Sequence, residues 1–230
     1  MDYAVVAKNL SYRYPDGSIG VDGVSLEIKK GERVAIIGEN GSGKSTLIFL
    51  LSGLLKPSRG EVRILGFSTK EIEEIRKRVG VVFQNPDEFL FNPTVKDELL
   101  YVPRQLRISE KESEQIVNHF SEIFDLKEVL HKPPFRLSGG EKKKVEIASV
   151  LVYKPEIIFL DEPTANVDAK TRKIIREIIK SYEGTVIVAT HEIEVAKICE
   201  RVIVMKKGKI LADSNFFSID ESILERAGVI

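Results

Sequence analysis

Cysteine is nearly absent from this chain. One residue, Cys199, occurs among 230, so a disulfide framework is excluded and a reducing compartment is the expectation. A lone cysteine of this kind reads as a small packed hydrophobe before it reads as a nucleophile. Net charge is absent too. The 35 lysines and arginines balance 35 aspartates and glutamates, which argues against a generally basic surface for nucleic acid and leaves room only for a local patch. No run of about eighteen apolar residues occurs, so no part is expected to span a membrane. The opening residues, MDYAVVAKNL, lack a charged leader followed by a long apolar run, and no secretory signal is expected. Repeats and low-complexity linkers are lacking as well. What remains is 43% apolar and 30% charged, a balance that suits a soluble α/β protein. The length fits one domain, with room for a smaller subdomain.

Hydrophobic periodicity divides the chain into elements. YAVVAKNLSYRY and VDGVSLEI alternate, with the turn PDG between them, and predict antiparallel strands. GERVAIIG predicts a buried strand. Lys44 to Leu54 predicts a helix with apolar positions at Leu47, Ile48, Leu50, Leu51, Leu54 and Leu55. EVRIL and RVGVVFQ predict further strands. From about Asn92 to Leu137 strand-like runs stop. SEKESEQIVNHFSEIFDL opens with Ser109 and Glu112 at capping-box spacing and continues as a helix. Another helix runs from about Gly140 to Val152. EIIFLDEP and TVIVATH predict fully buried parallel strands, with the helix AKTRKIIREIIKSY between them. RVIVMKKGKILAD predicts a closing hairpin across Lys207 and Gly208. The layout is a parallel α/β core interrupted by a helical piece. Residues 1–91 and 153–230 are expected to form the core with its antiparallel β part, and residues 92–152 the helical insertion, all within a single domain.

The chemistry begins at GENGSGKST. Gly38, Gly43, Lys44 and Ser45 fit G-x-x-x-x-G-K-[ST] between a predicted strand and a predicted helix. Backbone N–H groups across Gly38, Asn40, Gly41, Ser42 and Gly43 can converge on one anion, and the helix N-terminus adds partial positive charge. A polyphosphate is the expected occupant. Lys44 would bridge its β- and γ-phosphates, Ser45 would offer a hydroxyl to Mg²⁺, and Thr46 would contact the α-phosphate. The bland alternative is a glycine-rich turn with a surface lysine, which the flanking strand and helix disfavour. Alone, the pattern says only nucleotide phosphate. It separates neither ATP from GTP nor an enzyme from a switch.

A second cluster lies in EIIFLDEPTANVD. In an open parallel sheet, ligands lie beyond the carboxyl ends of the strands. Asp161 is therefore expected to face the Mg²⁺ shell. Glu162, one residue on, is expected to reach the attacking water as general base. The alternative is a pair of solvated acids ending a strand. His191, which ends TVIVATH, is a candidate for the γ-phosphate, with a satisfied structural histidine as the competing reading. His119 and His131 have no such placement and are assigned no role.

At LSGGEKKKVEIAS the pattern becomes a family pattern. Leu137, Ser138, Gly139, Gly140 and Glu141 resemble the signature of ABC ATPases, and the other motifs follow in that family's order from about Tyr3 to Asp213. The resemblance implies a P-loop NTPase core with a RecA-like parallel sheet, an antiparallel β subdomain and an inserted helical subdomain. It implies an ATPase that takes ATP and Mg²⁺. Tyr14 falls on the aromatic residue that stacks on adenine, and Gln84 on the glutamine that senses the γ-phosphate and Mg²⁺. Asp161 and Glu162 fall on the magnesium aspartate and the catalytic glutamate. Asp168 falls on the aspartate of the subunit-communication loop, and His191 on the switch histidine. The implied catalytic set is thus Glu162, His191, Gln84 and Lys44, with Ser45, Gln84 and Asp161 around the metal. The resemblance also implies a head-to-tail dimer around two nucleotides, in which Ser138, Gly139, Gly140 and Asp168 reach the nucleotide held by the partner chain.

Within the family, QNPDEFLFNPTVKDEL resembles the ATPases of energy-coupling-factor and cobalt or nickel uptake transporters. That implies integral membrane transport subunits as partners, a second ATPase subunit that is identical or paralogous, and a peripheral place on the cytoplasmic face of the membrane. No nucleic-acid partner is expected. Phe89, Leu90 and Phe91 form an apolar cluster that reads either as a docking patch for a membrane subunit or as packing between subdomains. Lys142, Lys143 and Lys144 stand where glutamine and arginine are frequent and read as a solvated helix face. A soluble ABC ATPase of an assembly pathway, such as iron–sulfur cluster assembly, is the alternative function.

Overall fold

The computed structural model describes residues 2–230. Its strands are β1 (Tyr3–Arg13), β2 (Ile19–Lys29), β3 (Arg33–Ile37), β4 (Arg59–Ile64), β5 (Phe67–Ser68), β6 (Val79–Val82), β7 (Ile157–Asp161), β8 (Thr185–Thr190), β9 (Arg201–Lys206) and β10 (Lys209–Ser214). Its helices are α1 (Lys44–Leu51), α2 (Ile72–Arg76), α3 (Val95–Gln105), α4 (Glu110–Ile123), α5 (Gly139–Leu151), α6 (Ala169–Ser181), α7 (Ile193–Ala196) and α8 (Glu221–Arg226). Two compact units emerge. One comprises residues up to Val81, Glu156–Glu162 and Ile178–Ile230; the other comprises Val82–Pro155 and Pro163–Glu177.

The first unit is built on two sheets. The larger runs in the order β10-β9-β3-β8-β7-β6, and the smaller in the order β2-β1-β4-β5. β3 pairs in parallel with both β8 and β9, and β8 pairs in parallel with β7. Every residue of β7 and β8 is buried, which explains their unbroken apolar runs: a strand covered on both faces has no solvent side to alternate with. β1 pairs antiparallel with β2 and β4, and its alternation is interrupted by register shifts on both sides of Asn9. β9 and β10 close a hairpin in which Lys207 and Gly208 both have positive φ (47° and 77°), as a tight two-residue hairpin turn requires.

Two element ends differ from the expectation. The helix predicted to Leu54 stops at Leu51, because Gly53 turns left-handed (φ 79°) and its N–H bonds Leu50 O; Leu54 is consequently 45% exposed. The strand predicted through Phe83 and Gln84 stops at Val82. The Phe83 N–H leaves the ladder and bonds the Glu146 carboxylate.

The second unit carries α3, α4 and α5, with α3 packed on both α4 and α5. Thr94 caps α3 through the Asp97 N–H, and Ser109 caps α4 through the Glu112 N–H. The full reciprocal capping box lies elsewhere, at Ser138 and Glu141 on α5. Among the described residues, no helix is long and apolar enough to cross a membrane.

Candidate active site

The loop between β3 and α1 is a backbone cradle pressed against its neighbours. A Cβ on Gly43 would lie 2.2 Å from Gly20 O, and one on Gly38 would lie 2.3 Å from Met205 O. Only glycine permits this approach, and Gly43 also sits at φ 104°. The hairpin turn fastens the loop from one side through Gly208 N–H to Ser42 O (2.8 Å). From the other side Glu39 N–H donates to Ala227 O, just after α8 (3.0 Å). Lys44 is 6% exposed, and its Nζ donates to Gly38 O (2.8 Å) and Glu39 O (3.1 Å). The ammonium is thus curled over the loop it belongs to. Ser42 Oγ is buried in this loop with no hydrogen-bond partner, an uncompensated hydroxyl that an anionic ligand's oxygen would satisfy.

The carboxyl end of β7 brings the acids to the same place. Glu162 Oε1 lies 3.9 Å from Lys44 Nζ, and both side chains are nearly buried. Burial pulls the Lys44 ammonium below its ordinary value, opposed by the carboxylates of Glu162, Asp161 and Glu39. Glu162 is held in the left-handed region (φ 45°), with its N–H bonded to Ala189 O (2.9 Å). A glutamate at this φ stores strain, and such strain collects at functional sites. His191 closes the cluster: its Nδ1 is 2.9 Å from Glu162 Oε2, and its backbone N–H donates to the same oxygen at 3.4 Å. The structure therefore places His191 on the glutamate.

The residues present suit Mg²⁺ only in company with a phosphate. Asp161 and Ser45 offer hard oxygen donors, which magnesium prefers. Among the described residues no group of three or more His, Cys, Asp and Glu side chains can hold an ion by itself. Magnesium typically takes one or two protein oxygens and completes its shell with substrate phosphate and water.

Tyr14 stands beside the start of α1. Its hydroxyl hydrogen-bonds Thr46 Oγ1 at 2.7 Å, and its ring meets Tyr12 edge-on with centroids 5.0 Å apart. Removing the ring and removing the hydroxyl are separable changes. If the ring stacks on adenine, as the family resemblance implies, Tyr14→Ala should weaken ATP binding by about 5–100-fold, the cost of a lost base–aromatic stack. Tyr14→Phe should stay within about twofold of wild type, because the face is kept and only the Thr46 contact goes. Calorimetric titration of the two variants with ATP checks this. Equal losses would mean that the hydroxyl, not the face, binds.

Gln84, Ser138, Gly139, Gly140 and Asp168 all belong to the second unit. Gln84 is exposed, just past the end of β6. Ser138 and Gly139 are exposed at the start of α5. Ser138 Oγ accepts from Glu141 N–H (3.4 Å) and donates to Glu141 Oε2 (2.7 Å), while Ser138 N–H donates to that same oxygen (2.8 Å). These bonds hold the Glu141 carboxyl below its ordinary value. Asp168 precedes α6 and accepts from both the N–H and the hydroxyl of Thr171; its carboxylate oxygen lies 3.7 Å from where a Gly140 Cβ would be. Phe89 packs near Phe83 (centroids 6.0 Å), while the exposed Phe91 meets Tyr101 edge-on at 5.0 Å.

The lysine run corrects the sequence reading. Lys143 and Lys144 are buried, and Lys142 bonds Asp87 at 2.6 Å. They are not a solvated face, because α5 is buried along nearly its whole length. Glu146, fully buried beside Lys143, was missed entirely. The available signal was a lysine and a glutamate at i,i+3 spacing on a helix without a clear apolar stripe.

A protein-family model described as ABC transporter matches residues 21–165. A protein of Archaeoglobus fulgidus that carries the same family name is 56% identical over 231 residues, spanning 98% of this chain and 97% of its relative. This chain belongs to the ABC transporter ATP-binding family. As an ABC ATPase it binds ATP, and its fold is the P-loop α/β fold of that family's cassettes. The energy-coupling factor transporter ATP-binding protein EcfA of Methanothermobacter thermautotrophicus is 43% identical over 232 residues, covering 96% of this ABC ATPase and 75% of EcfA. Among solved structures, cbiO1 from Clostridium perfringens, part of the ABC transporter complex cbiONQ, superposes with a TM-score of 0.80 at 34% identity, covering 100% and 96% of the two chains. A dimeric ATP-binding cassette in a post-hydrolysis state bound to ADP and Pi superposes with a TM-score of 0.81 at 32% identity, covering 92% of this chain and 98% of that one.

Proposed function

We propose that this ABC ATPase powers a membrane importer of the energy-coupling-factor kind, hydrolysing ATP to ADP and phosphate as one half of a nucleotide-sandwich dimer. The observation that carries the reading is the convergence of Lys44, Glu162 and His191 beside the glycine cradle, in a chain similar to EcfA and cbiO1 over nearly its whole length. The similarity favours the importer over a soluble assembly ATPase. Lys44 meets the β- and γ-phosphates. Glu162 takes a proton from the attacking water, and His191 holds the glutamate's second oxygen. Asp161, Ser45 and Gln84 would hold Mg²⁺, which would neutralise charge on the phosphates. Ser138, with Gly139 and Gly140, supplies a second helix N-terminus to the γ-phosphate on the partner chain, and Asp168 lies beside it.

A dimer held by shared nucleotide has a direct test. The Glu162→Gln chain should run as a dimer with ATP in sedimentation velocity. Adding Ser138→Arg to it should return the chain to monomer, since the bulk and charge fill the anion site. Persistence of the dimer would overturn the composite-site assignment. For the importer itself, the chain purified from its native membranes should bring an integral membrane protein; a soluble assembly complex in its place would overturn that part.

A further inference from the structure

The ion pair on α5 has no role in the function so far. Lys143 and Glu146 are 2% and 0% exposed, with Nζ and Oε2 2.9 Å apart. An ammonium has three donors, and all three of Lys143's are used: Glu146 Oε2, Phe83 O at 2.5 Å and Gln84 O at 3.1 Å. Glu146 Oε1 accepts from Phe83 N–H at 2.6 Å. Both backbone polar groups of Phe83, and the carbonyl of Gln84, thus end on two side chains of one helix.

Two buried charges are an unusual way to fill space, because well-packed apolar side chains of the same volume are often as stable or more so. Apolar residues here would remove the side-chain partners of three backbone groups of residues 83 and 84. The pair does what strand pairing does elsewhere: it holds backbone. It begins where β6 ends, one residue before Gln84. The helix that carries the pair starts at Gly139 and is capped by Ser138. Residues 83–84 and the signature are consequently parts of one hydrogen-bonded piece.

We propose that Lys143 and Glu146 are positioning residues for Gln84, fastening the backbone of its segment to α5 so that the γ-phosphate sensor and the signature serine keep a fixed relation through the ATP cycle. The inference rests on the reading of Gln84 given above. Lys143 and Glu146 themselves touch no nucleotide. Removing the clamp changes the placement of Gln84 in the transition state more than it changes the cradle that binds ATP.

The test replaces the pair as a whole. Lys143→Met with Glu146→Leu removes both charges, so neither is stranded. Its melting temperature should fall by several degrees, because backbone groups of residues 83 and 84 lose their side-chain partners, its ATP KM should stay within about twofold, and its kcat should fall about 10–100-fold, the range for a small misplacement of a catalytic group. Hydrogen exchange at the Phe83 and Gln84 amides should rise. A stable double variant with wild-type kcat would overturn the proposal. Glu146→Gln is isosteric and keeps an acceptor for the Phe83 N–H while loosening Lys143; it decides the matter if the double variant does not fold. For it, kcat should fall at least about threefold at unchanged KM, and wild-type kcat would again overturn the clamp. Gln84→Ala, assayed alongside, separates the two levels. Slow turnover in Gln84→Ala with normal turnover in the pair variants sinks the clamp alone. Normal turnover in Gln84→Ala sinks the reading of Gln84 and this inference with it.

Discussion

Glu162→Gln should bind ATP as well as the unmodified chain and hydrolyse it about 10²–10⁴-fold more slowly, the usual worth of a positioned general base. The amide keeps the shape of the side chain and an acceptor oxygen for the His191 N–H, so the local fold survives. What it cannot do is accept a proton at neutral pH. Binding should not suffer, and there is a physical reason to expect a slight gain. The carboxylate sits 3.9 Å from the Lys44 ammonium with both groups nearly out of water, where opposite charges attract strongly. Removing that charge frees Lys44 for the phosphates. Two measurements check the point: steady-state phosphate release and equilibrium binding of labelled ATP. Loss of binding would show that Glu162 shapes the cradle, and retention of full turnover would show that another group activates the water.

Gly43→Ala should all but abolish ATP binding and lower stability by about 2–3 kcal/mol, the range for forcing a side chain into a strained backbone position that cannot relax. The added methyl would meet Gly20 O at 2.2 Å and Gly208 Cα at 3.3 Å, at a φ of 104°. Those neighbours are backbone from β2 and from the β9–β10 turn, so no side chain can swing aside. The loop must move, and its N–H groups lose their common focus. The melting temperature should drop by roughly 5–10 °C for a chain of this size. Gly41→Ala is the useful contrast. Its Cβ would meet nothing within 4 Å, although its φ is 79°, so it carries the conformational strain without the clash. Equal binding by Gly43→Ala and the unmodified chain would mean that the cradle does not depend on this close approach.

Much of the architecture was legible because the local signals agreed with one another. The unbroken runs in EIIFLD and TVIVAT belong to strands buried on both faces. The Lys207–Gly208 pair forms the turn its composition suggests. The glycine-lysine loop lies between β3 and α1, where strand and helix were expected. Errors fell where a residue's meaning depended on something remote in sequence. Leu54 fits the helical period of α1 and yet lies outside it, since Gly53 ends the helix first. Phe83 and Gln84 look like the end of a strand, yet their backbone partners come from residues 59 to 63 positions away. Ser109 and Glu112 have capping-box spacing, but the reciprocal box formed at Ser138 and Glu141, where the same S-x-x-E spacing had been read only as part of a family signature.

By itself the sequence determined that a polyphosphate cradle follows a buried strand, and that two acids and a histidine end two further strands. Those facts depend on spacing of two to eight residues, and local sterics and periodicity act over that range. Only the tertiary structure decided where the charges point. Lys143 is surface-like by type and by its place in a lysine run, and burial makes it the donor that satisfies a distant backbone segment. His191 was a candidate by position alone, and folding set its Nδ1 within 2.9 Å of a Glu162 carboxylate oxygen. A charged group's energy depends on its solvent exposure and its neighbours within a few ångströms, and neither quantity exists until the chain has packed.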